Sequence, residues 1–157
     1  MPGVNTIHIG HFYLNPLKSG RILIVEQEQQ SKRSRDLAAI SCASAFLAVA
    51  LGAFGAHLLK SKLSHEMMEI FKTGAYYQLV HAVAGLSLAL AGSAPNRQRL
   101  LTSTRLFLVG TLIFCGSLYV LSITGIKLFG AITPIGGLCF LIGWLLAMFT
   151  FFKNDSN

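Results

Sequence analysis

The sequence predicts an all-α membrane protein, with four transmembrane helices in a bundle and a short amphipathic helix between the first and second. Three observations carry this. Of 157 residues, 53% are hydrophobic and only 12% charged, against about 25% charged in an ordinary soluble domain. The apolar residues gather in four runs of roughly the 20 residues that cross a hydrocarbon core of about 30 Å. Within the runs apolar and polar residues do not alternate. Backbone groups must therefore be satisfied inside each segment, as in a helix, rather than between barrel strands.

Residues 1–35 read as a polar, irregular tail. Ile7–Leu14 and Arg21–Glu26 have strand-like composition, but an isolated two-stranded hairpin is only marginally stable. Glu26–Arg35 reads as a linker or a polar helical lead-in. Residues 36–153 form the transmembrane domain and 154–157 a C-terminal tail.

The first span runs from about Leu37 to Leu59. Between it and the second lies KSKLSHEMMEIFKT. Ser64 is placed to cap a helix, with Glu66 in the first turn where it suits the helix dipole. Leu63, Met67, Ile70 and Phe71 recur at helical spacing, which predicts an amphipathic helix on the membrane surface. The second span runs from about Gly74 to Gly92, followed by a connection punctuated by Pro95 and Asn96. The third runs from about Leu106 to Ile123. A tight connection holding Lys127 leads to the fourth, from about Leu128 to Phe152.

Lysine and arginine set the expected orientation. Nine of them (Lys18, Arg21, Lys32, Arg33, Arg35, Arg97, Arg99, Arg105 and Lys153) fall on the side holding both termini, and four (Lys60, Lys62, Lys72 and Lys127) on the other. The richer side is the cytoplasmic one. The expected location is the inner (plasma) membrane, multi-pass, with both termini cytoplasmic. The formal charge of +7 therefore reads as flanking charge for a lipid bilayer. It does not form a basic face with interleaved aromatics, and nucleic acid is not an expected partner.

Several chemistries are excluded. Cys42, Cys115 and Cys139 lie far apart inside apolar runs, as small hydrophobes do. The acidic residues Glu26, Glu28, Asp36, Glu66, Glu69 and Asp155 all lie outside the spans, so no carboxylate pair works within the bilayer. No nucleophile elbow, zinc-protease helix or phosphate loop occurs. No catalytic residue, metal or cofactor is expected, and the chain reads as a non-enzyme.

Helices in lipid associate through close packing, so small residues mark contact faces. The first span offers Ala48, Gly52, Gly55 and Ala56, the second Gly85 and Ala89, and the fourth Cys139, Gly143 and Ala147. These stripes can line one bundle, or pair the chain with a second copy or another membrane protein.

Four polar residues form a candidate cluster: His57, Tyr77, Gln78 and His81. Counted at 1.5 Å per residue from Lys60 and Tyr76, the two histidines fall at similar depth. Tyr77 and Gln78 share the face of His81 by i,i+4 and i,i+3 spacing. In one reading these groups lock the first two helices by hydrogen bonds. In a second, they line a path for a small solute or a proton, since ionisable groups at depth mark such paths. In a third, the histidines bind a haem or a metal, although a closed zinc site would lack ligands.

The segments GAFGAHLLK, LSHEMMEIFKTGAYYQLVHA and FGAITPIGGLCFLIGW resemble the YgdD/YwdK family of small membrane proteins. This is a domain of unknown function (423) whose eukaryotic relatives are called transmembrane protein 256. The resemblance covers about residues 36–153. It implies a four-helix protein of the bacterial plasma membrane or an organellar membrane. It matches Gly52, Gly55, His57, Tyr77, Gln78 and His81 to the family's motif positions, and Pro134 and Gly136 to its final-helix motif. The tail to about residue 30 departs from the family's short N-terminus. The function expected from all of this is a non-enzymatic accessory or structural membrane component acting through helix packing. The alternative is the solute or proton path through His57 and His81.

Overall fold

In the computed structural model, residues 16–91 and 96–152 are described, with residues 16–20 and Ala56 described by backbone alone. The elements are α1 (Pro16–Leu58), α2 (His65–Ala91), α3 (Arg97–Gly110), a π-helical turn (Thr111–Cys115), α4 (Gly116–Thr124) and α5 (Leu128–Phe152). Four helical segments are long and apolar enough to cross a membrane: Arg21–Gly55, His65–Ala91, Arg97–Thr124 and Leu128–Phe152. The third combines α3, the π turn and α4.

The chain forms two units, residues 1–33 and 34–157. In the first, the structure differs from the expected irregular tail. Residues 16–33 are helical, including Arg21–Glu26, whose composition is strand-like. Pro16 opens the helix, where a missing N–H costs nothing. The Glu, Gln, Lys and Arg that follow are good helix formers. Ile7–Leu14 lies outside the described residues.

The second unit is turned inside out relative to a soluble domain. Phe46 is 73% exposed, Leu112 77% and Leu138 58%, while Ser41, Ser103 and Thr104 are fully buried. Apolar surface on that scale belongs against lipid, not water. The small and hydroxyl side chains inside let the helices approach closely.

The segment expected to be a separate amphipathic helix is helical but not separate. It forms the opening turns of α2, which starts at His65. The Met67 amide donates to Ser64 Oγ at 3.3 Å, so Ser64 caps α2. Nothing in His65–Thr73 breaks the helix, because it contains neither glycine nor proline. Between α4 and α5, Gly125 takes φ +70° and its amide donates to Leu121 O at 2.8 Å. This left-handed position ends α4 at a residue without a Cβ penalty.

Two clusters form the packed interior. Leu88, Leu100, Phe107, Cys115, Phe140 and Ala147 make one; Leu37, Ala38, Ala89 and Leu101 make the other. The tightest crossing lies between the π turn and α5. A Cβ on Gly136 would stand 2.4 Å from the Phe114 backbone nitrogen, and one on Gly110 would stand 3.0 Å from Gly136 O. The backbones themselves are in contact here. A π turn shifts the helix face locally, and Ser117 Oγ at the start of α4 donates back into it, to Phe114 O at 2.9 Å. Ser117 also bonds Thr133 of α5 at 2.8 Å, beside Pro134, which lies inside that helix.

Candidate functional site

The small-residue positions fall at helix contacts to different degrees. Ala48, Ala89 and Ala147 are buried. A Cβ on Gly55 would stand 2.4 Å from the Phe71 ring, on Gly85 3.1 Å from Ser41 Oγ, and on Gly143 2.6 Å from the Phe107 ring. Gly52 is looser, with Ala75 Cβ at 3.9 Å. The side chain of Ala56 lies outside the described residues. Gly110 and Gly136, at the closest crossing, were not among the small-residue positions expected to pack. Their contact depends on which faces of two distant segments meet, and no spacing within either segment shows that.

The candidate polar cluster divides. His57 is exposed near the end of α1 and lines a cavity that Met68 also lines. His81 lies thirteen residues beyond Met68 on α2, about 20 Å along the axis. The structure therefore does not bring the two histidines together. The depth count began at Tyr76, but α2 begins at His65, so His81 sits far deeper than that count placed it.

Tyr77, Gln78 and His81 share a stretch of α2 from which bonds reach every other span. Gln78 is buried. Its Nε2 donates to Ser44 O of α1 at 3.0 Å, and its Oε1 accepts from Tyr119 OH of α4 at 2.8 Å. His81 is 5% exposed. Its Nδ1 contacts Tyr77 O at 2.8 Å, and its Nε2 accepts from Trp144 Nε1 of α5 at 3.2 Å. An indole nitrogen only donates, so Nε2 carries no proton and Nδ1–H donates to the Tyr77 carbonyl. The ring is the neutral imidazole in one fixed tautomer.

Aromatic rings close round this imidazole. Phe140 stacks on it with centroids 3.5 Å apart and planes at 12°. Phe107 meets it edge-on at 5.2 Å, and Tyr77 lies nearly parallel at 5.9 Å. Phe107 also packs on Trp144 at 4.9 Å, and Phe114 on Tyr77 at 4.9 Å. Offset and edge-on ring pairs contribute about 0.5–1.5 kcal/mol each beyond area burial.

Trp144, Tyr119 and Ser44 were not among the sequence candidates. One signal pointed to two of them. Trp144 is the sole tryptophan, Tyr119 lies within the third span, and an N–H or O–H at membrane depth must find an acceptor. Among the described residues, no group of three or more His, Cys, Asp or Glu is arranged to hold a metal ion.

Four apolar spans with buried polar cross-links define a multi-pass α-helical membrane protein. Comparison with known proteins gives the family. Residues 51–137 match the model described as "Protein of unknown function (DUF423)". The chain is 41% identical to the UPF0382 membrane protein YwdK of Bacillus subtilis, over 66% of this chain and 85% of that protein. It is 38% identical to the UPF0382 inner membrane protein YgdD of Escherichia coli, over 73% and 88%, and 41% identical to a UPF0382 membrane protein of Haemophilus influenzae, over 72% and 90%. The chain belongs to this YgdD/YwdK family. No solved structure matches it.

Proposed function

We propose that the chain is a non-enzymatic structural or accessory component of the inner membrane, acting as a rigid helical bundle, with both termini in the cytoplasm. The observation that carries the reading is how Gln78 and His81 use their polar atoms. Both functional atoms of the Gln78 amide and both ring nitrogens of His81 have partners within the chain. A proton path needs a polar group free to exchange its proton with water or a neighbour. Instead His81 is closed in by Phe140, Phe107 and Tyr77. The name of the Escherichia coli relative, an inner membrane protein, supports the location. The excess of lysine and arginine on the terminal side supports the orientation.

The test is reconstitution of the full chain into liposomes holding a pH-sensitive dye. The imposed pH gradient should collapse no faster than in protein-free liposomes. A leak that His81→Phe removes, in a variant that still folds, would contradict the reading and favour the path.

A further inference from the structure

Where the first two spans end, α1 and α2 border a cavity of about 510 Å³. Four basic side chains line it, His57, Lys60, His65 and Lys72, against one carboxylate, Glu69. Lys72 already pairs with Glu69 at 2.7 Å. Lys60 is exposed and makes no ion pair among the described residues. Leu63 and Met68 supply an apolar wall. Nothing in the packing of the bundle uses these charges, and His57 has no part in the hub around His81.

We infer that this cavity binds a phosphate-type oxyanion at the membrane surface, with Lys60, His57 and His65 as its donors. The chemistry is selective in sign. Lysine brings a full positive charge and three donors, and a neutral imidazole still donates one N–H. The volume lies within the roughly 300–1,000 Å³ of small-ligand sites. The position, at the ends of Arg21–Gly55 and His65–Ala91, is the level of lipid headgroups, where long basic side chains near helix ends reach the phosphate groups. The apolar wall suits the glycerol and first methylenes of a phospholipid. A free phosphate shares the headgroup chemistry.

The test uses the full chain, stripped of lipid in detergent. One arm titrates phosphatidylglycerol against phosphatidylcholine, read by native mass spectrometry. The other titrates inorganic phosphate, read by calorimetry. Wild type should prefer the anionic ligand. The double variant Lys60→Gln, His65→Gln should lose roughly tenfold in affinity, about 1.4 kcal/mol. Lys127→Gln, which removes a charge outside the cavity, should bind as wild type does. Dependence on Lys60 and His65 in the first arm assigns a lipid headgroup, and in the second arm alone a free oxyanion. Both side chains are exposed, so melting should not change. If the double variant fails to fold, Lys60→Glu alone should show the loss. Binding in neither arm, or an equal loss in Lys127→Gln, would overturn the inference.

Discussion

Trp144 Nε1 donates a hydrogen bond to His81 Nε2 at 3.2 Å, joining α5 to α2 across 63 positions of sequence. Three residues before His81, Gln78 holds Ser44 of α1 and Tyr119 of α4. One turn of α2 is thereby hydrogen-bonded to each of the other three spans. In lipid, where apolar surface gives helices no reason to prefer one another, such bonds and close packing decide the arrangement.

The crossing of α5 over the π turn leaves no room for a side chain at Gly136, because the obstacle is the Phe114 backbone. Gly136→Ala should destabilise the bundle by about 2–3 kcal/mol, the upper part of the range for overpacking. Gly137→Ala, whose Cβ would meet nothing closer than 3.8 Å, should be nearly neutral. Unfolding in mixed micelles followed by circular dichroism compares them, and equal effects would show that the crossing is not tight.

Gly55 and Gly52 lie one turn apart and should behave differently. Phe71 blocks a Cβ at Gly55, and it is itself buried and packed on Tyr119 at 4.9 Å. Gly55→Ala should cost about 1–3 kcal/mol, whereas Gly52→Ala makes an ordinary contact with Ala75 and should cost little. His57→Ala removes an exposed side chain and should stay within about 0.5 kcal/mol of wild type. The same unfolding measurement orders the three.

Tyr119→Phe removes the donor to Gln78 Oε1 and should cost about 0.6–1.7 kcal/mol, the range for interhelical hydrogen bonds in a membrane. Gln78→Leu should cost more, because it removes both interhelical bonds at once and strands the Tyr119 hydroxyl away from water. Equal costs would mean that Gln78 does not bridge α1 and α4.

What the sequence discloses here follows the range of each interaction. The four spans are legible because an unsatisfied backbone in lipid forces long apolar helices, and hydropathy alone reports that. The Ser64 cap was legible too, since it involves residues three apart. The neighbourhood of His81 was not. Its partners Trp144 and Phe140 come from another span, and no spacing within α2 specifies which face α5 presents. The separation of His57 from His81 was not legible, because the apolar part of the second span begins well after α2 itself, which starts at His65. The helix over residues 16–33 was obscured by the aliphatic run Ile22–Val25, whose composition suits a strand although its neighbours favour a helix.

His81, through its bond to Trp144, locks α2 to α5. A double-mutant cycle tests this most directly, with His81→Phe, Trp144→Phe and the double variant unfolded in mixed micelles by circular dichroism. The expected coupling is about 0.6–1.7 kcal/mol, with the double variant less destabilised than the two single changes sum to. Strictly additive effects would contradict it, because the two side chains would then be acting independently.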